Sequence, residues 1–239
     1  MANLASLESF LSSCSIDADV FELRPDYRVA LIAVDGIEPG PGDDASESLL
    51  ASAELAVRAT MGDASPDSLP RVAAWRDAYR AFGAKPQRTR NSLEALLRRV
   101  PGGLPRINRL TDIYNAISIA HQIPIGGEDL AAYVGGARLK RSNGSDPFDT
   151  VADGNVVIEY PESGEVIWCD DTGVTCRRWN WRQCRRTQLN DETRAALFIL
   201  DGLDPLSTEE LQSAADELAE HVSRLGPNVT IAQRMIARP

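Results

Sequence analysis

Histidine is scarce in this sequence and paired cysteine is missing, and together these shortages remove most familiar routes to catalysis. The 239 residues include two histidines, His121 and His221, and four cysteines, Cys14, Cys169, Cys176 and Cys184. No CxxC pair is present to found a zinc site, and only those two histidines could complete one, so no metal is expected. Without a secretory signal the thiols are expected to stay reduced and structural. There is no GxSxG elbow, and neither histidine neighbours a convincing nucleophile in sequence, so a conventional hydrolase triad is hard to assemble. Neither GxxxxGK[ST] nor a full GxGxxG occurs, and no cofactor is implied. No apolar run reaches the length of a membrane span, and the start MANLASLESFLSS lacks a basic region followed by an apolar one. A cytoplasmic protein with no membrane partner is expected. Cations are also short: 25 Lys and Arg against 35 Asp and Glu give a net charge of −10. That argues against a protein that coats nucleic acid through bulk electrostatics, and no DNA partner is expected.

What is present suits an ordinary globular protein. Hydrophobic residues make up 43% and charged residues 25%, enough for a real core in one large domain or two small ones. The charge is unevenly spread. Arg76 to Arg109 holds nine Lys or Arg against Asp77 and Glu94, and Arg177 to Arg186 holds five Arg and no acid. Asp191 to Glu220 has nine acids and only Arg194. Two readings follow: a basic face that touches phosphates at a few places, or arginines paired with the acidic helix.

Along the chain, residues 1–27 carry no sharp signal. Val29 to Val34 is a continuous apolar run and reads as a buried strand. Two prolines and two glycines between Glu38 and Asp44 predict a loop. Helices are expected from Ala45 to Met61 and from Arg71 to Phe82, with Pro70 at the head of the second and Gly83 at its end. Trp75 and Tyr79, four apart, should be core. Lys85 to Arg90 reads as a basic extended connector, and Asn91 to Glu94 as a capping box opening a helix to Val100. Later segments favour strands: Gly135 to Arg141, Val156 to Tyr160, Val166 to Cys169 and Val174 to Cys176. Asn190 to Ala195 is expected to start a short helix and Ala196 to Leu200 to be a buried strand. Ser207 and Glu210 then cap a helix running to Leu225. The fold class predicted is α+β, one domain over residues 1–239, with helices concentrated early and strands late.

The most informative stretch is Leu104 to Ala120. Ile107, Leu110, Ile113, Tyr114 and Ile117 recur at helical spacing, predicting one helix with that face buried. Asn108, Asp112 and Asn115 share a second face, although all three are indifferent helix formers. Asn108 is either the helix cap or, with the other two, part of a polar site bordering a cavity. His121, in the last turn, reads as a cation near the C-terminal carbonyls.

The run LPRINRLTDIYNAISIAHQIPIGGEDL resembles the signature of the B3/B4 domain, the editing module of the bacterial phenylalanyl-tRNA synthetase beta subunit. The likeness is closest to freestanding proteins of this type. Tyr79 to Pro86 upstream and Arg177 to Gln183 downstream extend it in the same order. It covers residues 73–203, while 1–72 and the helix at 207–226 match less distinctively. The resemblance implies a mixed β-sheet flanked by helices and hydrolysis of a mischarged aminoacyl-tRNA ester, with tRNA or aminoacyl-tRNA as partner. It implies a pocket lined by Asn108, Asp112 and Asn115, with Gly126 and Gly127 offering backbone amides and Asp129 a second polar wall. Arg178 would hold a phosphate, Trp179 would stack on adenine, and Asn180 belongs to the same motif. An extended backbone there would instead place Arg178, Asn180 and Arg182 on one side and both tryptophans in the core. Arg88, Arg90, Arg182 and Arg185 are the RNA-contact candidates. A binding module without turnover, or a pocket reused as a protein-interaction surface, remains the competing reading.

Overall fold

The structure, a computed structural model, describes residues 4–239. The unmarked N-terminal segment forms α1 (Leu4–Ser13), the short strand β1 (Ser15–Ile16) and α2 (Ala18–Leu23). The apolar run becomes β2 (Arg28–Asp35), buried at every position after Arg28. Helix α3 (Asp44–Met61) starts at a reciprocal cap, in which the Asp43 carboxylate accepts from the Ser46 N–H and the Ser46 hydroxyl accepts from the Asp43 N–H. Helix α4 (Pro70–Ala81) follows, burying Trp75 and Tyr79.

The basic connector is turned rather than extended, because the N–H groups of Arg88 and Thr89 both donate to the Lys85 carbonyl. Helix α5 (Ser92–Leu97) is shorter than predicted. Asn91 caps it, but Glu94 does not reach back; its buried carboxylate takes Arg76 and Arg98 instead. Helix α6 (Arg109–His121) begins later than its apolar spacing suggests. Asn108 is its cap and accepts from the Thr111 N–H at 2.8 Å. Upstream, the Leu104 N–H donates to Glu54 and the Ile107 N–H to Asp112, so these donors are satisfied without a helix. Ile107 is 58% exposed, contrary to its predicted burial.

Then come β3 (Ile125–Asp129), β4 (Arg138–Arg141), β5 (Phe148–Ala152), β6 (Asn155–Glu159), β7 (Val166–Cys169), β8 (Val174–Arg177), β9 (Arg182–Gln183), β10 (Ala195–Gly202), α7 (Thr208–Ser223) and β11 (Thr230–Ala237). The fold is α+β. A four-stranded antiparallel sheet has the order β11-β2-β10-β3, and a five-stranded sheet the order β1-β4-β7-β8-β9. The hairpin β5–β6 stands as a third, two-stranded sheet. The larger-scale expectation of early helices and late strands is only half the picture, because the central sheet joins β2 to strands from the far end of the chain. Residues 190–194 form a turn, not a helix, with the Asn190 N–H donating to the Thr193 hydroxyl. Strand β10 then starts at Ala195, opposite Asp35 of β2.

Alternation along β2 and β10 gives the central sheet two apolar faces. Leu31, Ala33, Leu197 and Ile199 pack toward the second sheet and its tryptophans. Ile32, Val34, Phe198 and Leu200 are covered by α6 and α7.

The β8–β9 connection departs most from expectation. Arg178 and Trp179 have φ of 47° and 68°, so the backbone turns twice through the left-handed region instead of extending. The Trp179 indole is thereby driven inward, fully buried, edge-on to Tyr27 at 4.9 Å and to Trp75 at 5.3 Å. Left-handed backbone costs roughly 1–2 kcal/mol per non-glycine residue. Removing a large aromatic from a core costs about 3–5 kcal/mol, so the buried indole outweighs either turn residue taken singly. Trp179→Ala should therefore lower unfolding free energy by ~3–5 kcal/mol in urea titration, and the half-buried Trp181→Ala by much less. Equal midpoints for the two variants would contradict this account of the turn.

Candidate functional site

A cleft of about 280 Å³ opens where α5, α6, the edge strand β3 and the β8–β9 turn meet. Helix α5 contributes Ser92 and Leu96, with Arg99 just beyond its end; α6 contributes Tyr114 and Asn115. Strand β3 supplies Ile125 and Gly126, and the second sheet and its turn supply Cys176, Asn180, Trp181 and Gln183. A shelf of about 340 Å³ shares Trp181 and Gln183 with the cleft and continues past Thr150, Arg182, Arg185 and Gln188. Neither carboxylate nor histidine lines the cleft.

The two glycines of β3 serve different ends. A Cβ at Gly126 would meet nothing within 4 Å, so this glycine leaves open space in the cleft wall. A Cβ at Gly127 would lie 2.8 Å from Leu189 and 3.0 Å from Tyr114, so that glycine permits packing. The Gly127 carbonyl, on the outer edge of the sheet, accepts from Gln183 Nε2 at 2.6 Å.

Asn180 anchors the cleft wall to the core. Its Oδ1 accepts from the Tyr79 hydroxyl at 2.9 Å and its Nδ2 donates to Asp201 at 3.2 Å. Its carbonyl accepts from the Ser92 N–H, which fixes the start of α5. Asp201 is buried and also accepts from the Tyr27 hydroxyl at 2.6 Å. Burial pushes its carboxyl up to about 7, against the hydrogen bonds from Tyr27 and Asn180. Glu128, buried on the same face of the central sheet, is raised by burial as well, while the Tyr133 hydroxyl bonds it at 2.6 Å. Asn115 is also nearly enclosed, yet its amide has no hydrogen-bond partner among the described residues. The Ser92 hydroxyl likewise finds none.

The predicted site residues divide sharply. Asn115, Gly126 and Asn180 line the cleft, and Gly127 adjoins it through its carbonyl. Asn108 borders only a slot of about 10 Å³, the room of one water. Asp112 holds the Ile107 N–H with Oδ1, while Oδ2 is buried beside Gly42 without a partner among the described residues. Burial raises its carboxyl. Asp129 binds the Thr193 hydroxyl and the Ala131 N–H. Arg178 bonds Glu165 and Thr89 and lies over the Trp181 ring at 4.5 Å. Trp179, enclosed in the core, offers no open ring face for stacking. The helix face expected to carry three polar groups into one cavity thus delivers one, because the first acts as cap and the second folds back on the entering chain.

Most arginines of the two basic segments are paired, though not with the acidic helix. Arg106 takes Glu47 and Glu54, Arg177 takes Glu159 and Glu165, and Arg186 takes Asp170. The acidic helix α7 takes Arg71 and His121 instead. Of the RNA-contact candidates, Arg88 is exposed, Arg90 lies 3.7 Å from Glu94, Arg182 donates to the Val151 carbonyl and Arg185 lies 3.2 Å from Asp149. Arg99, exposed and without an ion-pair partner among the described residues, lies at the cleft. None of Arg99, Ser92 and Tyr114 is a site candidate by sequence, where Tyr114 reads as part of a buried helix face. Gln183 closes the downstream motif, the one local signal that marked it. All four cysteines are buried and unpaired. No group of three or more His, Cys, Asp or Glu among the described residues could hold a metal ion.

The sequence matches the B3/4 domain family over residues 74–226. No curated protein matches it. Among solved structures, 15 chains match. One is an N-terminal fragment of the phenylalanyl-tRNA synthetase beta-subunit from Pyrococcus horikoshii, with 10% sequence identity and a TM-score of 0.47. That similarity covers 95% of this chain and 54% of the fragment, so the chain spans about half of the fragment's length.

Two outcomes follow from the site's construction. Gly126→Leu should leave the melting temperature nearly unchanged while filling the cleft, whereas Gly127→Leu should melt early, overpacking costing ~1–3 kcal/mol or more. Equal melting temperatures would overturn the distinction between the two glycines. For Asp201, the ordinary pKa of 3.8 rises to about 7 on folding. The native state then holds a proton over a range where the unfolded chain has lost it. Its contribution is fully present below about 3.8 and is lost as pH rises to about 7. Asp201→Asn should flatten that fall, by a few kcal/mol, when urea stabilities near pH 5 and near pH 8 are compared. An unchanged pH slope would assign the fall to other groups.

Proposed function

The chain belongs to the B3/4 domain family, and from that premise we propose that it is a trans-editing aminoacyl-tRNA deacylase, hydrolysing the ester of a mischarged tRNA. In this reading residues 4–239 act as one domain, since β2 and β11 complete the sheet that carries β3. The observation that carries the proposal is a cleft whose polar lining is neutral apart from Arg99 and which opens onto a shelf with Arg182 and Arg185. An aminoacyl ester is already activated. Its hydrolysis asks for a positioned water and for hydrogen-bond donors near the carbonyl oxygen, with little need for a side-chain base.

The aminoacyl group enters the cleft beside Gly126, where open space admits it. The Asn115 amide, free of hydrogen-bond partners among the described residues, orients the carbonyl or the attacking water. Strand alternation puts the Gly127 N–H on the same outer edge as its carbonyl, making it a backbone donor for the developing oxyanion. Water adds to the ester carbon, the bond to the ribose oxygen breaks, and the proton lost by water passes to that oxygen through a ribose hydroxyl or the substrate amine. Arg99 at the cleft, Arg182 and Arg185 on the shelf, and Arg88 and Arg90 further out contact phosphates of the acceptor end, which gives weak, salt-sensitive binding.

The same lining, without acid or histidine, also suits a second reading, a module that binds an aminoacyl or nucleotide group without turnover. A panel of correctly and incorrectly charged tRNAs separates the two. Deacylation of at least one mischarged tRNA should exceed the spontaneous rate, and Asn115→Ala should lower kcat/KM roughly ten- to a hundredfold at unchanged melting temperature. Saturable binding without deacylation across the panel would establish the binding module.

A further inference from the structure

Gln183 stands at the junction of cleft and shelf and is held there by partners that dictate which way its amide faces. Its backbone pairs with Cys176 in the β8–β9 ladder. Its Nε2 donates to the Gly127 carbonyl at 2.6 Å. A carbonyl can only accept, so turning the amide over would set two oxygens against each other. Glu128, next along β3 and 1% exposed, adds to the constraint. Gln183 joins Tyr133, Thr175 and Thr187 in the hydrogen bonding that favours the charged form of that buried carboxylate. Both influences act on the N–H end of the amide. The Oε1 end accepts nothing from the described residues, on a side chain that lines the cleft.

Resting on the reading of the cleft as an aminoacyl-ester site, we infer that Gln183 Oε1 accepts a hydrogen bond from the substrate's α-ammonium group. Gln183 is then the residue that selects an aminoacyl ester over the corresponding ester without an amine. An ammonium presents three donors and no acceptor, so it requires acceptors from the wall. The cleft lining contains no carboxylate to provide them. An amide whose N–H end is bonded to a carbonyl is polarised, which makes its oxygen a stronger acceptor. The bond it forms with a cation belongs to the stronger, charge-assisted kind. The arrangement also keeps Glu128 itself behind the wall, where it influences the cleft without offering a free anion to solvent.

The test uses binding, so that it does not depend on turnover. The full chain is titrated by calorimetry with 3′-aminoacylamido-3′-deoxyadenosines carrying alanine, serine or phenylalanine, and with their desamino counterparts, in all of which an amide replaces the ester. Wild type should prefer the amine-bearing member of at least one pair by roughly ten- to a hundredfold. Gln183→Met should abolish that preference, lowering affinity for the amine-bearing compound roughly ten- to a hundredfold and for its desamino counterpart far less. Should that variant melt early, Gln183→Asn supplies the same readout, since its shorter arm cannot reach Gly127 and the cleft together. Preference retained in the folded variant overturns the assignment of Gln183, as does equal wild-type affinity within every pair. If no analogue of either kind binds, the aminoacyl-ester reading of the cleft itself fails, and the assignment with it.

Discussion

A chain of buried hydrogen bonds, Tyr27–Asp201–Asn180–Tyr79, holds the cleft in place. Each link comes from a different part of the sequence: the lead into β2, the end of β10, the β8–β9 turn and helix α4. Asn180 spends both ends of its side chain on this network and its carbonyl on the first N–H of α5. One residue thereby ties the β8–β9 turn to α5 and, through Asp201, to β10, the strand that pairs with β3. The arrangement persists because Trp179, next in sequence, is locked among Tyr27 and Trp75, and its burial carries a backbone conformation that would otherwise be unfavourable. Asp201 lies within this network with no cation among its hydrogen-bond partners, and burial raises its carboxyl accordingly.

The chemistry the cleft can offer follows from what surrounds it. Its polar side chains are three amides, the hydroxyls of Ser92 and Tyr114, an indole, a thiol and one guanidinium, and the buried acids Glu128 and Asp201 stand behind Gln183 and Asn180 rather than in the wall. Such a site can orient and polarise, but it provides no ready proton acceptor of its own. That limits it to substrates whose reaction needs positioning, or to binding. The charge pattern agrees. Many arginines of an acidic protein are neutralised by nearby carboxylates, while Arg99 at the cleft and Arg88 are exposed without an ion-pair partner among the described residues.

Legibility differed from residue to residue for physical reasons. The strand at 29–34, the caps at Asn91 and Ser207 and the core roles of Trp75 and Tyr79 are set by local spacing, and the folded chain uses them that way. The start of α6 was misread because apolar periodicity continues through Ile107, whereas the cap at Asn108 and the satisfied N–H groups of Leu104 and Ile107 end the helix there. For the run from Arg177 to Arg182 an extended backbone is one of two readings, and neither includes the turn, because nothing in the composition announces left-handed backbone at Arg178 and Trp179. Strands β5 and β11 went unmarked, since their partners lie on other segments and their own patterns are only partly apolar.

By itself the sequence determined the family, the fold class and the poverty of conventional catalytic groups, all of which follow from motif order, periodicity and composition. It also marked Asn115, Gly126 and Asn180, which stand within its motifs. Only the tertiary structure decided which polar residues converge. Of Asn108, Asp112 and Asn115, one reaches the cleft, because a cap and a bond to the entering chain consume the other two. It also separated the paired glycines, since whether a missing Cβ leaves open space or relieves a clash depends on Leu189 and Tyr114, residues remote in sequence. Gln183 belongs with these: its amide direction is set by a carbonyl 56 positions away, and no local pattern encodes a contact of that range.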